Sequence, residues 1–318
     1  MNESFEIIPL DTLFFRGSTP MESGMMNVVS VFPPPVSVIK GAFWTAAHSE
    51  KGDYKSCLDE KGNIPLEVTG IFIKKIDKGN KERYYAPAPA TWYYDNDKKI
   101  SSGEKLDGIK LIDAKKMPDT EKLGMTSSAG EVVFVKAEKD SKSLFGAWIL
   151  VDFLKNPKST FGKEDVLLEG DILSKENRTN VALDENRRAK DGQLFSSTHL
   201  RLNEGISLLV TFTEKLSLPD EGKFLFGGEK RLSKFKRMKE AVFNFDGSDG
   251  SLFVSFVPIE ATDKTIETIV SSGKIFATAG WDLATGFHKP TTNWIPAGAV
   301  FNTKINNSCV ALKSVPTK

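Results

Sequence analysis

Only two cysteines, Cys57 and Cys309, and three histidines, His48, His199 and His288, occur in the 318 residues. The cysteines lie far apart without a C-x-x-C pair, which speaks against a disulfide framework and a cysteine zinc site and suits a reducing cytoplasm. No two histidines stand four apart, so H-E-x-x-H is absent, as are the G-x-S-x-G elbow and the P-loop. Acidic residues are plentiful but show no signature pairing, which leaves open only a carboxylate site assembled across the fold. No apolar run reaches the ~18 residues that span a bilayer. The opening "MNESFEIIPLDTLFFRG" carries acids where a signal peptide has a basic region and then an apolar one. Nor does one sign of charge prevail. Lys and Arg number 43 against 42 Asp and Glu, a net charge of +1, so any nucleic-acid site must be a local patch. The expectation is a cytoplasmic protein with no membrane contact, no metal and no cofactor.

What is present reads as a globular α+β chain, 40% hydrophobic and 27% charged, long enough for one large or two ordinary domains. "SFEIIP" predicts a strand, followed by a turn at Asp11 and a second apolar piece ending at Arg16-Gly17. From Ser37 the period changes. Val38, Ala42 and Ala46 form one i, i+4, i+8 row and Ile39, Phe43 and Ala47 the next, which predicts an amphipathic helix. Pro33 to Pro35 hold its approach extended and Ser37 is the expected N-cap. "EVTGIFIKKI" alternates like a strand, yet residues 50 to 130 otherwise read as a loop-rich insertion. Core segments are expected at "EVVFVKA" and "FGAWILVDFL", and strands at "GISLLVTFTEKL" and "SLFVSFVPIE". A helix is predicted from Lys264 to Ser272, after a cap at Thr262 or Asp263. From residue 251 the order β, α, β, loop, β is most of a ferredoxin-like βαββαβ unit, and the first strand with the Ser37 helix begins another. Two tandem ferredoxin-like domains, 1–150 and 151–318, are therefore expected.

Four basic features could carry chemistry. "KFLFGGEKRLSKFKRMKE", 223 to 240, holds seven Lys or Arg against two Glu. That concentration suits a phosphate backbone, since each neutralised phosphate releases counterions. Gly227 and Gly228, ahead of Lys230 and Arg231, permit close backbone approach and could present N–H groups to an anion. "ENRTNVALDENRRAKDGQLFSSTHLRL" gathers Arg178, Arg187, Arg188, Lys190, His199 and Arg201 around Phe195. Arginine forks suit phosphate, while the acids in the same stretch suit internal ion pairs equally well. "TAGWDLATGFHKP" offers Gly280, Trp281, Gly286 and Lys289, a stacking face with a charge, or else a tryptophan packed in a turn. The start of the Ser37 helix, with Lys40 and Gly41, is a candidate phosphate seat, unless Gly41 serves only tight helix-to-sheet packing.

Taken in order, "LFFRG", "FPPPVSVIKGAFWTA", "ENRTNVALDENRRAKDGQLF…HLRL" with its "GGEKR", and "GWDLATGFHKPTTNWIPAGAVF" resemble the RAMP-superfamily subunit, third in the operon naming, of the type III-B CRISPR Cmr complex. The motifs fall on Phe14, Phe15 and Arg16; on Pro33 to Pro35, Ser37, Gly41 and Ala42; on Gly192, Leu194 and Phe195; on Gly227, Gly228, Glu229 and Arg231; and on Gly280, Trp281, Asp282, Lys289 and Pro290. The chain departs from the pattern at Asn180-Val181, where the family often has Gly-Ile, and at Trp44, where it usually has an arginine. The resemblance implies a double ferredoxin-like RAMP fold and a non-catalytic subunit that holds the 5′ handle of the CRISPR RNA (crRNA). It also implies contacts with the large polymerase-like subunit and the backbone RAMP subunit, and with target RNA only indirectly.

Two other readings stand beside that one. A crRNA-processing endoribonuclease would need a general acid and base, for which His48 and His199 are the candidates. A protein-bridging subunit would turn Lys230, Arg231 and Arg237 toward acidic neighbours.

Overall fold

The computed structural model describes residues 3–17, 28–48, 58–59, 63–95, 100–102, 107–117, 124, 127, 133–134, 140–239, 251–279, 281–282, 287–288 and 290–316. Its framework is an eight-stranded antiparallel sheet built from β1 (Glu3–Pro9), β2 (Val68–Ile76), β3 (Glu82–Pro87), β4 (Trp148–Leu150), β5 (Val166–Leu167), β8 (Ile206–Phe212), β9 (Glu221–Leu225) and β10 (Leu232–Arg237). The long hairpin of β6 (Leu173–Leu183) and β7 (Ala189–Leu202) stands apart from it. The order across the sheet is β5-β4-β3-β2-β8-β1-β10-β9. Strand β1 lies between β8 and β10, pairing Phe5 with Val210 on one side and with Arg237 on the other.

Alternation decides which face each residue serves. Phe5 and Ile7 of β1, Ile71 and Ile73 of β2, and Leu208 and Val210 of β8 point to the face that carries α1 (Val36–His48). Phe43 of α1 sits there with its ring 5.0 Å from both Phe5 and Phe212 and 5.1 Å from Phe224. Truncating so central a ring to alanine removes about 3–5 kcal/mol. The intervening residues, Phe72 and Leu209, point the other way into a second core with Phe256, whose ring lies 5.2 Å from Phe72. Strands β2 and β8 are thus covered on both faces, which explains their nearly unbroken apolar runs "GIFI" and "ISLLV". A third, smaller core around Phe253, Ile295 and Phe301 belongs to the C-terminal strands.

The fold is mixed α+β, rich in strands and poor in helix, and several expectations are corrected. Residues 50 to 130 are not a loop-rich insertion throughout. Within them β2 and β3 are main-sheet strands, and Trp92–Asp95 and Ile109–Asp113 pair in another sheet. The helix expected from Lys264 to Ser272 spans only Asp263–Ile266, capped by Thr262, whose side chain accepts from the Thr265 N–H. Beyond it Ile269–Ser271 is a strand against Val300–Phe301, because β-branched Ile269 and Val270 have a sheet edge to join. "FGAWILVDFL" is a strand that passes directly into the helix Val151–Lys155. Strands from both sides of residue 150 share the main sheet.

Ser37 is not the N-cap. The helix begins at Val36, two residues earlier than that cap implies, and the Pro35 carbonyl accepts from the N–H groups of Val38 and Ile39 at 3.0 and 3.2 Å. The prolines still set the start, since the restricted backbone of Pro35 supplies the first helical acceptor. A Cβ on Gly41 would meet nothing within 4 Å, so helix packing does not require glycine there.

Candidate nucleic-acid interface

Three segments far apart in the sequence meet where β1 ends. Leu13 exchanges backbone hydrogen bonds with Leu200 of β7, at 2.7 and 2.9 Å, and Val31 donates to the Phe15 carbonyl at 2.9 Å. The Phe15 N–H donates to the Ser30 hydroxyl at 3.1 Å, and Arg16 bridges to Ser30. Ser30 in turn donates to the Thr198 carbonyl at 3.2 Å, so the approach to α1 and the β6–β7 hairpin are both tied to the Phe14-Phe15-Arg16 turn.

The third segment is the turn between β9 and β10. Gly227 has φ +88°, and a Cβ there would stand 2.7 Å from the Phe14 carbonyl oxygen. The Gly228 N–H donates to that same oxygen at 2.8 Å. The two glycines therefore do permit close backbone approach, but to this chain's own Phe14, and the Gly228 donor is already used. Glu229 and Lys230 follow with φ +55° and +52°. Neither is glycine, so the left-handed turn costs about 1–2 kcal/mol at each. That geometry returns the Glu229 carboxylate to Arg231, at 2.7 Å, and to His199 Nε2, at 3.5 Å, while Lys230 is left exposed.

Around this junction three of the expected arginines, Arg178, Arg201 and Arg231, meet carboxylates. Arg231 donates to Asp11 at 2.5 Å, Arg201 to Asp11 at 3.4 Å, and Arg178 lies 3.9 Å from the same carboxylate. Arg201 also binds Glu176, and Arg178 reaches Glu176 at 3.5 Å and the Thr12 hydroxyl at 2.9 Å. The Thr12 N–H and then Arg231, Arg178 and Arg201 outweigh partial burial and hold the Asp11 carboxyl below its ordinary value. Arg201 does the same for Glu176. Three guanidinium groups and three carboxylates make a neutral, mutually oriented cluster.

His199 closes the cluster from beneath. It is fully buried, stacked on Phe14 with ring centroids 4.9 Å apart, and its Nδ1 lies 3.3 Å from the Thr12 hydroxyl. Its Nε2 lies 3.2 Å from the Ser197 hydroxyl. Burial pushes its pKa down, favouring the neutral imidazole. A ring enclosed in this way packs the junction and does not face solvent. His48 is elsewhere, at the end of α1, with Nδ1 2.9 Å from the Trp44 carbonyl and its ring 4.0 Å from the indole.

The other basic residues stand outward. The tip of the β6–β7 hairpin is a turn in which one Asp184 carboxylate oxygen accepts from the N–H groups of Asn186 and Arg188, at 2.9 and 2.7 Å. Arg187, at φ +61°, Arg188 and Lys190 are exposed there. Among the described residues none of these three, nor Lys40 or Lys230, pairs with a carboxylate. What sequence reasoning missed is Asp11, read only as a turn residue; Glu176 belongs to the stretch whose acids suit internal ion pairs, and it meets Arg201 and Arg178 in that way.

The sequence family described as CRISPR-associated protein (Cas_Cmr3) matches residues 5–248, from β1 through the junction and the β6–β7 hairpin. The chain belongs to this family. Among solved structures it resembles a chain of the Type III-B Cmr-beta complex bound to cognate target RNA and AMPPnP, with TM-score 0.54 and 16% identity over 94% of this chain and 85% of that one. A second structure of Cmr-beta, bound to cognate target RNA, gives TM-score 0.53 and 16% identity over 94% and 86%. No curated protein matches significantly.

Other Cas_Cmr3-like positions distribute as follows. Trp44, the departure within α1, is buried and its indole N–H finds no acceptor among the described residues. Asn180 donates to the Ser197 hydroxyl at 3.2 Å within the β6–β7 ladder, so an ordinary strand runs through the position where the family often has glycine. Trp281 pairs with His288 in a two-stranded ribbon, while Gly280, Gly286 and Lys289 lie outside the described residues. Among the described residues no group of His, Cys, Asp or Glu is placed to hold a metal ion, and no helix is long and apolar enough to cross a membrane.

Proposed function

We propose that this chain is a non-catalytic crRNA-binding subunit of a type III-B CRISPR effector complex, in cytoplasmic antiviral defence. In this reading it holds the 5′ handle of the crRNA and joins the large polymerase-like subunit to the backbone RAMP subunit. Its two halves are read as ferredoxin-like RAMP units. One observation carries the proposal: the exposed basic residues Arg187, Arg188 and Lys190 stand at the end of a long two-stranded arm, and that arm is anchored by the neutral arginine–carboxylate junction. Charge held away from the body on a rigid support can follow a phosphate backbone, and the neutralised arginines keep the support in register. Lys40, half-buried, and the exposed Ser37 in the first turn of α1 offer a second contact. Family membership supports the reading, as does the likeness in fold to a chain from a complex that was solved with target RNA.

The test is binding of labelled handle RNA and of a scrambled RNA of equal length, to the purified chain and within a reconstituted complex. The expected result is handle binding that weakens steeply as salt rises, with ultraviolet crosslinks to the hairpin tip. Absence of both binding and crosslinks in either setting overturns the proposal.

A further inference from the structure

The face of the main sheet opposite α1 is covered over β2 and β8 by the second core, and on β1 Ser4 and Glu6 are buried too, Glu6 against Lys74 and Ser207. Among the described residues the face presents exposed side chains on β10, β9 and the end of β1. Strand register lays the residues of this face out in rows, all exposed but Glu6. One row is Leu10, Leu232 and Leu225: Leu225 stands opposite Leu232, and the Leu10 N–H donates to the Leu232 carbonyl at 3.1 Å. The next is Ile8, Lys234 and Lys223, and the third is Glu6, Lys236 and Glu221. Leu225 is 54% exposed, Leu10 47%, Leu232 40% and Ile8 37%. Four large aliphatic side chains thus share one patch of a solvent-facing sheet, beside the junction described above.

The charges on this patch are uneven. Lys236 stands between Glu6 and Glu221, but Lys234 has Ile8 on one side and Lys223 directly opposite on the other. Like charges directly opposite across a strand pair oppose pairing, and neither Lys223 nor Lys234 meets a carboxylate among the described residues. A lysine on the edge strand β9 guards against stray strand pairing. That protection does not explain a second lysine one strand inward, nor the exposed leucines beside them.

We propose that the exposed face of β10 and β9, with Ile8 and Leu10 at the end of β1, is a docking surface for another protein subunit, one that brings an aliphatic centre and carboxylates to meet Lys223 and Lys234. An aliphatic middle with charge at its side is the pattern of a protein interface. Single-stranded RNA would call for aromatic stacking faces, and no exposed position of this patch carries one. The inference rests on reading the chain as a subunit of a multi-protein complex and adds which surface does the joining.

The experiment uses a type III-B complex reconstituted from the full chain, its partner subunits and crRNA. A zero-length carbodiimide, which links an amine to a carboxylate only in direct contact, is applied and the products are mapped by mass spectrometry. The expected result is that Lys223 and Lys234 are joined to Asp or Glu of a neighbouring subunit. The double variant Lys223→Glu/Lys234→Glu is expected to enter the complex at least tenfold less well. Lys223→Arg/Lys234→Arg should restore assembly. Should the reversed variant fail to fold by circular dichroism, the wild-type crosslinks and Lys223→Gln/Lys234→Gln decide the matter. A complex that assembles with both lysines unlinked to a neighbour, links only between two copies of this chain, ultraviolet crosslinks of this face to RNA, or full incorporation of the charge-reversed variant each overturn the inference. If the wild-type chain joins no complex at all, this inference and the proposed function fall together; if it joins with the lysines unengaged, only this one falls.

Discussion

Arginines at two ends of the same hairpin are employed in opposite ways. At the base, Arg178 and Arg201, with Arg231 from the neighbouring turn, are shared among Asp11, Glu176 and Glu229. At the tip, Arg187 and Arg188 are exposed, and the one nearby carboxylate with described bonds, Asp184, accepts backbone N–H groups instead. The difference teaches that a count of basic residues does not locate a phosphate site. A guanidinium already oriented by carboxylates serves as a bolt, and one without them is available to a ligand.

The strongest way to break that contrast is to remove the junction's close approach. Gly227→Val sets a branched side chain against the Phe14 carbonyl in a left-handed conformation and should destabilise the protein by about 3 kcal/mol, read by chemical denaturation. RNA binding should fall with it, because the arm loses its base. Next, Arg231→Ala leaves Asp11 and Glu229 without their shared cation. A loss of about 1–2 kcal/mol is expected after allowing for the partial exposure of both acids, with the midpoint shifted and the denaturant slope unchanged.

The tip should behave in the reverse manner. Arg187→Ala/Arg188→Ala is expected to leave stability within about 0.5 kcal/mol of wild type. Handle-RNA affinity should fall about tenfold, and the slope of log affinity against log salt should become shallower by about 2. If affinity holds while stability drops, the roles of tip and base have been assigned the wrong way round. The smallest effect is pH dependence. Asp11 and Glu176 have folded-state pKa values below their ordinary 3.8 and 4.5. Their contribution is therefore present above those values and lost as pH falls through the folded ones. Melting temperature measured from pH 6 to pH 3 should drop more steeply below about pH 4 in wild type than in Asp11→Asn.

Local chemistry was legible where the period was clear. The strand at "SFEIIP", the helix carrying Ile39 and Phe43, and the strands "EVTGIFIKKI" and "GISLLVTF" stand where their patterns indicate, because burial on one or both faces writes a period into the sequence. The start of α1 was misjudged by two residues, since a backbone carbonyl can serve where a hydroxyl is expected. The role of residues 68 to 87 was misjudged more seriously. Short strands separated by polar turns look like an insertion until their neighbours, Ile206–Phe212 and Trp148–Leu150, are known. The candidate site was half legible: its arginines and glycines, Glu229 and the ion pairing of Glu176 could be read, but not that Asp11 meets three of those arginines.

By itself the sequence determined which residues are basic, which segments must be buried, and the ordered motifs that mark the family. Tertiary structure alone decided that Asp11 meets Arg201 and Arg231, some 190 and 220 positions away, and that Gly227 rests on Phe14. It also decided that Leu10, Leu225 and Leu232 lie side by side on an open sheet. The physical reason is that ion pairing, close approach and surface patches depend on distance in space. Distance along the chain fixes space only within a helix or a strand, and β1 finds both of its neighbours some two hundred residues later.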